Sequence, residues 1–253
     1  MSVVSVAVKS QSLCVVSSDA SSLAKAQDWA RFLQAPLNPT DLQNYFFHFH
    51  VENGSVFVKD TEGRKLAIDF DENHLDYQRR GHRGKNELIA KALGVAKGTK
   101  KVLDLSVGLA VDSVFLCQLG FQVTGVERSP VLYALLKEAF AKTQKEELKS
   151  YELFHSDSRE FLETQKNKIE VDAIYFDPMY PHKKKSALPK QEMVVFRDLV
   201  GDDADAAEVL RLALQWPVRR VVVKRPMRAE ELLPGVTHAF EGKVVRYDTY
   251  VVG

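Results

Sequence analysis

Apolar residues recur along this chain in two rhythms, and the change of rhythm divides it. In the first part the pattern is mixed. Leu13-Cys14-Val15-Val16 is a short apolar run of strand length. Leu23, Ala26, Ala30 and Leu33 fall three or four apart, the spacing of one helix face, and predict a helix over Ser22–Leu33 that Pro36 and Pro39 end. Tyr45–Val51 and Ser55–Val58 are β-prone runs around Asn53-Gly54. Asn-Gly is a strong hairpin signal because both central positions of the tight turn need positive φ. Leu66–Phe70 predicts a third strand. Residues 1–70 thus read as a small α/β extension.

From about Gly84 the rhythm becomes an alternation. A helix over Lys85–Leu93 closes at Gly94. Strands are predicted at Lys101–Ser106, Gln122–Val126, Tyr151–His155, Val171–Phe176, Val218–Lys224 and Lys243–Val252. Helices are predicted between them at Val111–Leu119, Pro130–Lys145, Asp157–Thr164, Gln191–Leu199 and Asp205–Leu214. Short apolar strands alternating with amphipathic helices mean right-handed crossovers and a mostly parallel sheet covered on both faces. Residues 71–253 read as one such α/β domain.

Composition narrows the class. A chain of 253 residues can bury about three quarters of its unfolded surface, so it needs no disulfide or metal to hold it together. Hydrophobic residues at 45% and charged residues at 27% exclude a chain disordered throughout. With 35 Lys and Arg against 34 Asp and Glu, the net charge is +1, so nucleic-acid contact has to come from local basic clusters. Cys14 and Cys117 lack the spacing of a zinc site, and the His residues show no ligand spacing, so no metal is expected. No apolar run approaches the roughly 20 residues of a membrane helix, and Met1–Ser10 lacks the apolar centre of a signal peptide. The expected location is cytoplasmic, with no membrane partner.

In such a sheet ligands bind at the carboxyl ends of the strands, near the reversal of strand order. The first strand ends in Asp104-Leu105-Ser106-Val107-Gly108, the second in Glu127-Arg128, the third in Asp157-Ser158 and the fourth in Asp177-Pro178-Met179-Tyr180. The first turn does not match GxGxxG, which disfavours a bound pyrophosphate. A lone Gly108 with acids nearby, Asp104 among them, suits a nucleoside without phosphates. Glu127 is placed to accept both ribose hydroxyls, and Asp157 with the Ser158 amide to read an adenine edge. That is the pattern of S-adenosyl-L-methionine on a methyltransferase sheet. For Asp157 alone, the plainer reading is a helix N-cap.

Asp177-Pro178-Met179-Tyr180 resembles the Asp/Asn-Pro-Pro-Phe/Tyr tetrapeptide of methyltransferases acting on exocyclic or amide nitrogen; taken alone it also reads as a strand-ending Asp-Pro turn. An aryl amine is a poor nucleophile because its lone pair is delocalised. A carboxylate and a carbonyl that accept its N–H bonds raise electron density on nitrogen as the methyl arrives. Asp177 and Pro178 supply those acceptors, and Tyr180 supplies a ring to stack on an extruded base.

The run from Asp177 through Pro181-His182-Lys183-Lys184-Lys185 to Leu188 resembles the RsmJ family of bacterial 16S ribosomal-RNA guanine-N2 methyltransferases. So do Lys190-Gln191-Glu192-Met193, Phe196–Gly201, Arg219–Pro226, Arg246–Tyr250, Ile68-Asp69-Phe70 and Gly84–Glu87. The likeness covers roughly Leu66 to the C-terminus. It implies a Rossmann-like class I S-adenosylmethionine-dependent methyltransferase fold, and a methyl transfer to N2 of a guanosine in 16S ribosomal RNA or the small subunit. Carried over by position, it implies cofactor contacts at Val111, Asp112, Glu127, Arg128, Asp157, Ser158 and Asp177. Where the family typically has Gly-Leu-Gly-Arg-Asp, this chain has Gly108-Leu109-Ala110-Val111-Asp112, and Asp157 stands where a small hydroxyl residue is common.

Two basic clusters flank the expected site. Arg79, Arg80, His82, Arg83 and Lys85 precede the first strand, and His182, Lys183, Lys184, Lys185 and Lys190 follow the fourth. Beside a base pocket such cations suit RNA phosphates; Lys224-Arg225-Pro226 closes a later strand on the same rim. The tetrapeptide alone also permits methylation of DNA adenine, transfer-RNA guanine or a protein amide. A reading from another class is a non-catalytic RNA-binding protein in which Ala110 and Val111 have abolished cofactor binding.

Overall fold

In chain order the elements are β1 (Leu13–Val16), α1 (Leu23–Leu33), β2 (Phe47–Glu52), β3 (Ser55–Asp60), β4 (Lys65–Leu66), α2 (Leu88–Leu93), β5 (Lys101–Asp104), α3 (Val111–Gln118), β6 (Gln122–Glu127), α4 (Pro130–Lys142), β7 (Glu152–His155), α5 (Ser158–Gln165), β8 (Ala173–Phe176), α6 (Gln191–Val200), α7 (Ala206–Ala213), β9 (Arg220–Pro226), β10 (His238–Glu241) and β11 (Val245–Val251). This computed structural model describes residues 13–72, 87–179, 191–201 and 203–252. The chain forms two compact units. The first draws on 13–68, 129–141 and 191–201, and the second on 69–72, 87–128, 142–179 and 203–252.

The first unit holds a sheet of order β1-β2-β3-β4. β1 and β2 pair in parallel, with α1 in the crossover between them. β2 and β3 form the expected hairpin, with Asn53 at φ 47° and Gly54 at φ 71° in its turn. Along β2, Phe47, Phe49 and Val51 are buried while His48, His50 and Glu52 are more exposed, the alternation of a sheet with one covered face. Within this unit Glu138 of α4 accepts from Trp29 Nε1 at 3.0 Å and Lys25 Nζ at 2.7 Å. The third strand is shorter and earlier than expected. Only Lys65–Leu66 pairs with β3; Ile68 and Phe70 bury their side chains without joining a strand.

The second unit holds a seven-stranded sheet of order β10-β11-β9-β8-β5-β6-β7. Neighbours from β9 to β7 are parallel, whereas β11 runs antiparallel to both β9 and β10. Successive strands run outward from β5 through β6 to β7, then restart on its other side at β8. The strand order therefore reverses between β5 and β8, and a ligand crevice belongs at their carboxyl ends. On one face Leu103, Val126, Ile174, Val221 and Val223 pack with Phe161, Leu210 and Trp216. The Trp216 indole donates to the Leu162 carbonyl at 2.8 Å, so its polar edge is satisfied inside that layer. The sequence reading lacked β10. Its residues His238, Ala239 and Glu241 are exposed, so this edge strand has no buried face to leave an apolar rhythm.

Candidate active site

Asp104, the last residue of β5, is 1% exposed. Its Oδ1 accepts the Ser106 amide at 2.9 Å and its Oδ2 the Ser113 hydroxyl at 2.5 Å. Ser113 in turn lies 2.9 Å from the Tyr151 hydroxyl. Burial pushes the Asp104 carboxyl up to about 6, against the pull of those bonds, and the nearby Asp112 and Asp177 charges add to the rise. Asp104 thus braces the first turn from beneath.

That turn enters α3 through two left-handed residues, Gly108 at φ 56° and Ala110 at φ 59°. Ala110, fully buried, stands at the second glycine position of the family's Gly-Leu-Gly. Its φ gives that glycine a backbone reason, since a Cβ in this region costs roughly 1–2 kcal/mol. Glu127, at the tip of β6 and 4% exposed, accepts the Gly108 amide at 2.9 Å through Oε2. The carboxylate read as a ribose acceptor therefore faces the first turn across neighbouring strands. Val111 opens α3, partly exposed.

At the tip of β7, Asp157 caps α5: its carboxylate accepts the Arg159 amide at 2.9 Å and pairs with the Arg159 guanidinium at 3.0 and 3.1 Å. Burial opposes ionisation there, but the Arg159 bonds outweigh it and hold the carboxyl below its ordinary range. The plainer N-cap reading is therefore realised for this side chain. Ser158 turns its hydroxyl inward to the Leu105 carbonyl at 2.6 Å. Arg128 pairs with Asp203 and lies 3.4 Å from Asp205.

The fourth strand's turn is anchored on three sides. The Asp177 amide donates to Ser106 Oγ at 2.7 Å, the Met179 amide donates to Asp203 Oδ2 at 2.6 Å, and Lys224 Nζ lies 2.7 Å from Asp177 Oδ2. Pro178 is buried between them in sequence. The same ammonium lies 2.5 Å from Asp112 Oδ2, which also accepts the buried Tyr175 hydroxyl at 2.6 Å. Although its side chain is one-third exposed, Asp177 is pushed up to about 6 by desolvation; Lys224 opposes the rise, and Asp112 and Asp203 add to it.

Asp104, Gly108, Asp112, Glu127 and Asp177 are linked by these bonds around the tips of β5, β6 and β8. Tyr180, His182, Lys183, Lys184, Lys185, Arg79, Arg80 and Arg83 lie outside the described residues. The sequence reading missed four supports: Ser106, Ser113, Tyr151 and Asp203. It also placed Lys224 among the rim's basic residues, where the structure turns its ammonium inward onto two carboxylates. A lysine ending the apolar run Val221-Val222-Val223 was the available signal; Asp203 carried none, since its partners are distant in sequence.

A family model described as "Putative SAM-dependent methyltransferase" matches residues 34–252. A ribosomal RNA small subunit methyltransferase J of Bdellovibrio bacteriovorus is 72% identical over 241 residues, covering 95% of this chain and 96% of the relative. The chain belongs to the ribosomal RNA small subunit methyltransferase J family. Another member, from Thioalkalivibrio sulfidiphilus, is 40% identical and covers 78% of this chain and 85% of its own. A crystal structure of a SAM-dependent methyltransferase from Neisseria gonorrhoeae superposes with a TM-score of 0.72 at 26% identity, over 94% of this chain and 95% of that one. The fold is thus the Rossmann-like methyltransferase fold that the resemblance implied, and the family's cofactor is S-adenosylmethionine. The match begins at residue 34, so the likeness reaches further toward the N-terminus than the motifs alone suggested.

The residues present fit that cofactor. A carboxylate at the tip of β6 faces a turn relieved of one Cβ at Gly108, and further acids end β5, β7 and β8 around the switch point. Among the described residues no cluster of His, Cys, Asp and Glu is arranged to hold a metal, and no helix is long and apolar enough to cross a membrane.

Proposed function

We propose that this chain transfers the methyl group of S-adenosylmethionine to the exocyclic N2 of a guanosine in 16S ribosomal RNA. The observation that carries the reading is the Asp177-Pro178-Met179 turn, pinned at the Asp177 amide, the Asp177 carboxylate and the Met179 amide beside the strand-order reversal. When bound, the cofactor supplies an electrophilic methyl on a sulfonium. Glu127 accepts from its ribose hydroxyls, Asp104 and Gly108 shape the turn beneath it, and Val111, Asp112, Arg128, Asp157 and Ser158 line its surroundings. The Asp177 carboxylate and the Pro178 carbonyl accept the N–H bonds of the guanine amine, which localises its lone pair and orients it. As the carbon–nitrogen bond forms, nitrogen sheds a proton, and Asp177 accepts it. Tyr180 stacks on the base, as the resemblance implies, and Arg79, Arg80, Arg83, His182, Lys183, Lys184 and Lys185 hold phosphates of the same RNA. Every described residue of this machinery lies within 71–253, the stretch read as the methyltransferase domain.

Incubation with isotope-labelled S-adenosylmethionine and small-subunit RNA lacking the modification, then nucleoside mass analysis, tests the reading. The expected product is labelled N2-methylguanosine. Label on adenine or on protein would overturn the substrate assignment, and absence of saturable cofactor binding would favour the non-catalytic reading.

A further inference from the structure

Lys224 is one register step beyond Val223, which pairs with Phe176, so β9 delivers it beside Asp177. Its side chain is only 22% exposed, and its ammonium contacts carboxylates from two other elements, Asp177 after β8 and Asp112 in the first turn of α3. Among the described residues, Asp177 is bonded through its amide to Ser106 and through Oδ2 to Lys224, and none of them donates to its Oδ1. The Ser106 hydroxyl on the amide holds the backbone that carries this carboxylate, and the ammonium on Oδ2 restrains the carboxylate itself, so that Oδ1 is turned away from the ammonium and toward a substrate N–H.

We infer that Lys224 is a positioning residue for methyl transfer: clamped between Asp112 and Asp177, it aims the Asp177 carboxylate and keeps it in the accepting, ionised form. The inference rests on the reading of Asp177 as the group that accepts the amine. The electrostatic balance supports it. Asp177 is faced by Asp112 from α3, Asp104 from β5 and Asp203 ahead of α7, with the Tyr175 hydroxyl below and Arg128 engaged by Asp203. Like charges and burial both favour a protonated carboxyl, and a protonated carboxyl loses one of its accepting oxygens. Among the described residues Lys224 is the cation that pairs with Asp177, and its own proton is held tightly by the two carboxylates despite burial. A purely structural ion pair would affect folding without moving the acid limb of turnover.

The test is the pH profile of single-turnover methyl transfer at saturating cofactor and RNA. In Lys224→Met the acid limb is expected to move up by about one pH unit or more, so the rate deficit is at least about threefold at pH 6.5, approaches about tenfold near pH 5 and shrinks toward pH 9. Lys224→Arg should keep a limb near the wild type's. Asp112→Asn, which removes a like charge and a competitor for the ammonium, should move it down, and this second variant keeps the test decisive if the methionine variant does not fold. Acid limbs that coincide with the wild type's in both Lys224→Met and Asp112→Asn, or in Asp112→Asn alone if the methionine variant does not fold, overturn the inference. Asp177→Asn runs alongside as a control. Wild-type turnover in that control would remove the underlying reading instead, and loss of turnover with unshifted limbs removes only the role given to Lys224.

Discussion

Asp104 carries no substrate in this scheme, yet its chemistry decides how the first turn is held. It is a carboxyl buried to 1% exposure, bonded to Ser106 and Ser113, and raised from an ordinary 3.8 to about 6. The folded chain therefore holds this proton more tightly than the unfolded chain does. Its contribution to stability is complete below about pH 4 and is lost as the pH rises through 6, amounting to about 3 kcal/mol. Asparagine keeps the shape, can still accept from Ser106 and can donate to Ser113. Urea unfolding of Asp104→Asn and wild type between pH 4.5 and 8 should show the difference growing in favour of asparagine as the pH rises, while Asp177 cancels between the two. A difference that stays constant with pH would show that Asp104 does not titrate with folding. None of this was legible beforehand. The sequence put an acid at a strand tip, but its setting depends on Ser113 and Tyr151, which arrive from α3 and from the residue just before β7.

At the level of elements, the tips of β5, β6 and β8 lie together because β5 pairs in parallel with both β6 and β8. Gly125, inside β6, shows how tight the packing there is. A Cβ there would lie 2.0 Å from the Tyr151 hydroxyl and 2.5 Å from Val107 Cγ2. Gly125→Ala is expected to displace Tyr151, break its bond to Ser113 and cost about 1–3 kcal/mol in chemical unfolding, as overpacking does. A stability within about 0.5 kcal/mol of the wild type would mean that Tyr151 can move aside freely. The parallel strands were readable because each is an apolar run between helical repeats, and the hairpin at Asn53-Gly54 because its turn chemistry is local. β10 and the shortened β4 were not, since an exposed edge strand leaves no pattern and Ile68 and Phe70 bury side chains without ladder bonds. The sequence allows an N-cap at Asp157, and only the Arg159 contacts decide that the side chain is engaged there.

For the molecule as a whole, the alternation of strands and helices set the class of fold, and the loop after Asp177 pointed to the family. What they left out was the internal bracing of the site. Ser106 and Lys224 lie 71 and 47 positions from Asp177, and Asp203 lies 24 from Met179, distances over which a single sequence holds no pairing signal. In the proposed scheme these parts serve one function of the second unit, an amine-accepting carboxylate held beside a methyl donor. The most direct measurement is the single-turnover rate of methyl transfer to unmodified small-subunit RNA by Asp177→Asn, with cofactor affinity determined by calorimetry on the same protein. The expected result is a rate at least about 100-fold below wild type with cofactor affinity changed by less than about threefold. A rate near that of the wild type, at undiminished cofactor affinity, would show that the amine is activated elsewhere.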